Sequence, residues 1–198
     1  MIGKEITFRR GLPTHLEETR YYEFKEIKGG NPKGSIQNAA DEYAVAFLNA
    51  EGGSIFWGIR DTDRVVTGVS LDYKDRDEIR RVVTEKLTQI QPPIAPSIFE
   101  IPFHQVFDPD SNRPIENFYV VELTVPKMPT KGLYFTGSGD AFVKTDGSKK
   151  RLSGLQLQAE LTKRLSEKVD TAEKGATSSP MDFYFSQVMR RAKLVSSA

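Results

Sequence analysis

Acids are the residues of this chain best placed to do chemistry. In EETRYYEFK, Glu18 and Glu23 stand five positions apart and Lys25 follows, while a third acid, Asp61, closes the run SIFWGIRD. Three carboxylates gathered at one end of a sheet repel one another unless a cation sits among them. An all-oxygen set suits Mg2+ or Mn2+, and such an ion activates water and offsets charge on a phosphodiester. Strand alternation sends residues five apart to opposite faces. Glu18 and Glu23 therefore converge only if Glu18 lies in the turn before the strand, or if a bulge intervenes. Spacing alone equally describes three unrelated surface acids paired with local bases.

A second set is basic. Lys144, Lys149, Lys150 and Arg151 fall in AFVKTDGSKKRLSG, which reads as a short strand and a turn leading into a helix N-terminus. Backbone donors and positive charge at such a place hold phosphate. Lys25, Lys28, Lys33 and Arg60 extend the patch, although an ordinary solvated turn has the same composition. In GGNPKGS, Gly29 and Gly34 have the spacing of a phosphate-binding loop, but Ser35 and Ile36 follow the second glycine where Lys and then Ser or Thr are needed. Nucleotide hydrolysis there is disfavoured. Tyr21, Tyr22, Phe56 and Trp57 could stack on bases, or belong to strand cores. His15 and His104 stand in no triad-like arrangement, so catalysis, if present, rests on carboxylates and cations.

Composition narrows the chemistry further. The chain has 198 residues, 38% hydrophobic and 28% charged, with a formal charge of +1. That balance suits one packed domain with a tail, and only a local patch can argue for a polyanionic partner. No cysteine is present, which removes disulfides, thiolate nucleophiles and a cysteine-based zinc site. No apolar run approaches the roughly 18 residues of a membrane span, and MIGKEITFRR lacks a signal-peptide core. A cytoplasmic protein with no membrane partner is expected.

These residues need elements to position them. YYEFKEI alternates as a strand, with Phe24 inward and Glu23 and Lys25 sharing the other face. SIQNAADEYAVAFLNAEGG reads as a helix capped by Ser35, with Ile36, Ala40, Tyr43, Ala44 and Phe47 on its apolar face and Gly52-Gly53 as its stop. SIFWGIRD is apolar on both faces, as a central strand is, and TDRVVTGV supplies a turn and a short hairpin partner. DRDEIRRVVTEKLTQI is a second helix with Asp75 and Glu78 as a capping box. SIFEIPFHQVF and NFYVVELTV form a hairpin across a polar loop. A third helix, capped by Ser153 and Gln156, follows the basic turn. The expected class is α+β: a central mixed or antiparallel sheet of about five to six strands packed by three helices, with a C-terminal helix. Residues 1–168 form the domain, 169–179 a linker and 180–198 a helical segment.

Taken in order, EETRYYEFK, AVAFLNAEGGSIFWGIRD, VTGV and AFVKTDGSKKRLS resemble the Schlafen AlbA-like domain. The resemblance runs from about Glu17 to about Leu165. It implies a mixed α/β domain that binds nucleic acid. In mammalian Schlafen nucleases three carboxylates form a metal-dependent site that cuts structured RNA such as tRNA. By the resemblance those acids correspond to Glu18, Glu23 and Asp61, which would bind metal and act in catalysis. Lys25, beside Glu23, would stabilise phosphate charge. Lys28, Arg60, Lys144, Lys149, Lys150 and Arg151 would hold the nucleic acid, with RNA preferred over DNA. Mammalian members fuse two lobes into a basic cradle, whereas this chain has length for one, so a homodimer is expected, with Ser179 to Leu194 as a contact. The zinc site of those proteins cannot form here. The rival readings are a non-catalytic DNA- or RNA-binding regulator, an assembly domain and, less favoured, an ATP-binding protein.

Overall fold

Alternating and helical periodicities resolve, in a computed structural model that describes residues 6–129 and 132–176, into eight strands and three α-helices. In chain order they are β1 (Phe8–Arg9), β2 (Tyr22–Lys25), α1 (Pro32–Leu48), β3 (Gly53–Trp57), β4 (Val69–Ser70), α2 (Tyr73–Leu87), β5 (Phe103–Phe107), β6 (Pro114–Val125), β7 (Ala141–Thr145), β8 (Ser148–Leu152) and α3 (Leu155–Ala176). The chain divides into two compact units, one ending at Gly154 and the other beginning at Leu155.

The first unit is built on a mixed sheet in the order β1-β5-β6-β3-β2, with β4 also paired to β6. β2 runs parallel to β3 and β1 parallel to β5, while the β3–β6, β4–β6 and β5–β6 pairs are antiparallel. The expected α+β class with a mixed sheet is what forms. β3 is central, and both its faces are buried: Ile55 and Trp57 enter the core under α1 and α2, and Phe56 enters a second cluster with Phe8, Phe24, Val106 and Val120. Burial on both faces is why SIFWGI is a near-continuous apolar run. β7 and β8 form a separate two-stranded hairpin.

The segment between α1 and β3 has no freedom to vary. Gly53 has φ +146°, and a Cβ there would come within 2.4 Å of the Tyr21 carbonyl oxygen and 2.7 Å of the Phe47 ring. Only glycine allows β3 to start this close to β2 and α1.

Several boundaries differ from the sequence expectation. α1 starts a turn earlier, because Asn31 accepts from the Gly34 amide as N-cap and Pro32 takes the first position; Ser35 lies inside the helix. α2 likewise starts earlier. Its capping box is Asp72 with Asp75, so Glu78 is free to pair with Lys33 and Arg81 instead. The basic run is a strand, β8, and not a turn at a helix N-terminus. α3 continues to Ala176, through most of the stretch expected to be a linker. The expected C-terminal helical segment, 180–198, lies outside the described residues.

Candidate functional site

Alternation along β2 sets the site. Phe24 enters the core, while Glu23 and Lys25 share the opposite face, as expected. Thr19 and Tyr22 exchange backbone hydrogen bonds, so Glu18 lies in the turn before β2. Glu18 therefore stands ahead of the strand and not on it, and no bulge interrupts the β2–β3 register. Asp61 follows β3, where Gly58 and Arg60 pair with the strand returning through Val65 to Thr67.

Lys25 is the hub. Its Nζ lies 2.8 Å from Glu23 Oε1 and 3.7 Å from Asp61 Oδ2. The Tyr43 hydroxyl, from α1, donates to Glu23 Oε1 at 3.0 Å. From β7, Lys144 Nζ reaches Glu23 Oε2 at 2.8 Å, and neither atom has a further hydrogen-bond partner among the described residues. Glu23 is thus a buried carboxylate with an ammonium on each oxygen. Its surroundings differ sharply from those of Lys25 and Asp61, whose side chains are 34% and 50% exposed.

The titration tendencies follow from this geometry. Burial pushes the Glu23 carboxyl up, but hydrogen bonds and charge from Lys144 and Lys25 outweigh it and hold the group below the ordinary value. Glu18 goes the other way: burial first, then the charge of Glu23 and a hydrogen bond with it, push its carboxyl up. Burial lowers the Lys25 ammonium, yet Glu23, Asp61 and Glu18 together leave it raised. Tyr43 is pushed well up by burial and by Glu23, so its hydroxyl stays a donor.

The residues present do not form a divalent-metal site as they stand. Among the described residues no group of three or more His, Asp or Glu side chains is disposed to hold an ion. The physical reason is local: both Glu23 oxygens face lysine ammonium groups, which supply the compensating charge that an ion would otherwise provide.

The six residues expected to grip nucleic acid are dispersed. Lys144 has no exposed side-chain surface and is committed to Glu23. Lys149 pairs with Glu42 and lies over the Tyr43 and Phe142 rings, 4.4 and 4.8 Å from their centroids. Arg151 pairs with Asp140, Lys28 with Glu26, and Arg60 with both Asp63 and Glu26. Lys150 is exposed and carries no ion pair among the described residues. The lysine of GGNPKGS, Lys33, points to Glu78 on α2 at 3.3 Å, away from the loop's own amides. Tyr43 was readable only as a core residue of α1; its hydroxyl, alone on that apolar face, was the available signal that it serves a buried acid.

Comparison with known proteins adds two findings. The sequence pattern of the family described as Schlafen, AlbA_2 matches residues 18–153, well over half of the chain. Among solved structures, the DIP2311 protein from Corynebacterium diphtheriae is similar at 19% identity and a TM-score of 0.47; the match covers 69% of this chain but only 26% of that one. No helix among the described residues is long and apolar enough to cross a membrane.

Proposed function

This chain belongs to the Schlafen, AlbA_2 family, and from that premise we propose that it is an endoribonuclease acting on structured RNA such as tRNA. Family membership points to a nucleic-acid-related function; cleavage, RNA preference and assembly as a homodimer are the proposed refinements. One observation carries the reading. Two acids from separate stretches, Glu23 at 2.8 Å and Asp61 at 3.7 Å, meet the partly exposed ammonium of Lys25, and the charge of Glu18 acts on the same ammonium.

RNA contains its own nucleophile. Attack of the 2′-oxygen on phosphorus forms the O2′–P bond and breaks the P–O5′ bond; the 2′-hydroxyl proton goes to a carboxylate and the departing 5′-oxygen receives one. Asp61, exposed beside Lys25, suits the acceptor. Glu18, with its raised pKa, suits the donor. Lys25 would neutralise the charge that builds on the non-bridging oxygens. Glu23, buried, acts as a positioning residue that holds Lys25.

Mg2+ or Mn2+ held by Glu18, Glu23 and Asp61 is the ion-dependent form of this reading, and it requires Lys25 to leave Glu23. A second reading, a non-catalytic nucleic-acid-binding module, is favoured by a different observation: the charge of Glu23 is already met by Lys144 and Lys25, and the Tyr43 hydroxyl donates to it.

The test is a tRNA transcript incubated with wild type, Glu18→Gln or Lys25→Met, in Mn2+, in Mg2+ and in EDTA. Cleavage in EDTA that disappears in both variants supports the lysine-centred site. Cleavage that requires the ion supports the ion-dependent form. Cleavage persisting in both variants removes the site assignment, and RNA binding without cleavage under any condition selects the binding module.

A further inference from the structure

The outer face of α2 carries a row of side chains that the cleavage reading does not use. Tyr73, Arg76 and Arg80 stand at positions i, i+3 and i+7 and so lie along one stripe of the helix. The Arg76 guanidinium lies over the Tyr119 ring at 4.7 Å, and the Arg80 guanidinium over the Phe103 ring at 4.6 Å. Phe103 and Tyr119 meet edge to face with centroids 6.3 Å apart. Their inner sides pack on the main core. Tyr73, at the start of the row, is 62% exposed. Among the described residues the Arg76 side chain hydrogen-bonds the Asp72 carbonyl, at 3.4 Å, and Arg80 pairs with the exposed Asp77 at 3.2 Å.

We propose that Tyr73, Arg76, Arg80, Phe103 and Tyr119 form a second nucleic-acid contact, a platform for a single-stranded RNA segment. The inference rests on the family-level reading that this chain engages nucleic acid. A guanidinium over a ring still has N–H donors to offer a base or a phosphate. Stacking surfaces joined to positive charge at a solvent-exposed edge are what unpaired nucleotides bind.

The test is fluorescence anisotropy with a labelled oligoribonucleotide of about 12 residues, within the size range of single-strand sites. Its riboses are 2′-O-methylated to remove the internal nucleophile. Arg76→Gln/Arg80→Gln should weaken binding at least tenfold and make the log–log salt slope shallower by about 1.4, two phosphates' worth for a single strand. Tyr73→Ala should weaken binding about fivefold or more with the slope unchanged. Because Tyr73 is exposed, it keeps the test valid if the arginine pair proves necessary for folding. Variants that bind as tightly as wild type, while wild type still cleaves tRNA, would overturn the platform alone. Binding that depends on the platform, without any cleavage, would overturn the nuclease reading alone. An equal loss on a blunt RNA duplex, or no binding by wild type, would also overturn the single-strand platform.

Discussion

Lys144 Nζ lies 2.8 Å from Glu23 Oε2, and the lysine side chain is wholly buried. The contact joins the β7–β8 hairpin to the edge strand of the main sheet. It also shows what the carboxylate cluster consists of: an acid compensated by the protein's own cations. A buried pair adds little net stability over a well-packed apolar pair, but breaking it by removing one partner leaves a charge stranded. Lys144→Met should therefore lower stability by about 3 kcal/mol. Urea denaturation checks this, and a midpoint within error of wild type would show that Glu23 does not depend on Lys144.

The depressed Glu23 pKa carries a pH signature. A carboxyl whose folded pKa lies below its unfolded value contributes stability that is fully present above the unfolded value of 4.5. That contribution is withdrawn as pH falls from there through the folded pKa. Glu23→Gln should remove this part of the acid limb, so the stability of the variant varies less with pH below about 4.5. Glu18, with a raised pKa, has the opposite sign: it disfavours folding as pH rises through 4.5 toward its folded value. Glu18→Gln should then raise stability near neutral pH. Denaturation midpoints for both variants from pH 3 to pH 7, as a titration series of about unit steps, give the two slopes.

Much of this was legible in the chain, and the failures have physical causes. Two-sided apolarity identified β3 as central, and alternation placed Glu23 and Lys25 on one face. The family's order of motifs pointed to Asp61 as a neighbour of the Glu23–Lys25 pair, which spacing could not, and Lys25 meets both acids. Helix starts were missed by a turn because Asn31 and Asp72 sit in stretches that read equally well as loop. The basic residues were misjudged for a different reason. Sequence shows a cation but not the acid that meets it, and the partners of Lys144, Lys149 and Arg151 are 121, 107 and 11 positions away. Charge count alone therefore overstated the basic surface.

Lys149 and Lys150 are neighbours on β8 with opposite circumstances, and they provide a direct comparison. Lys149 is held by Glu42 and two rings, while Lys150 faces solvent. If the outer face of the hairpin touches RNA, Lys150→Gln should weaken binding and reduce the salt slope by about 0.7, one phosphate contact. Lys149→Gln should change the slope little and the unfolding temperature more. Anisotropy against salt, paired with thermal melts, separates the two, and identical behaviour would show that the pairing in the fold does not decide which lysine meets the ligand.

Asn49 ties the site together from behind. It ends α1, and its side-chain amide donates to the carbonyls of Tyr134 and Phe142 at 2.9 Å while its oxygen accepts from the Tyr134 amide at 2.8 Å. The residue is 3% exposed, so Asn49→Ala strands buried backbone groups on two segments, at a cost of about 1–3 kcal/mol for each unsatisfied group. Phe142 lies two positions before Lys144 on β7, so the same contact fixes where the buried ammonium stands. If the two act as one unit, Asn49→Ala and Lys144→Met should not be additive, with a coupling of about 0.5–3 kcal/mol in a double-mutant cycle. Strict additivity would mean that β7 reaches Glu23 without help from the end of α1.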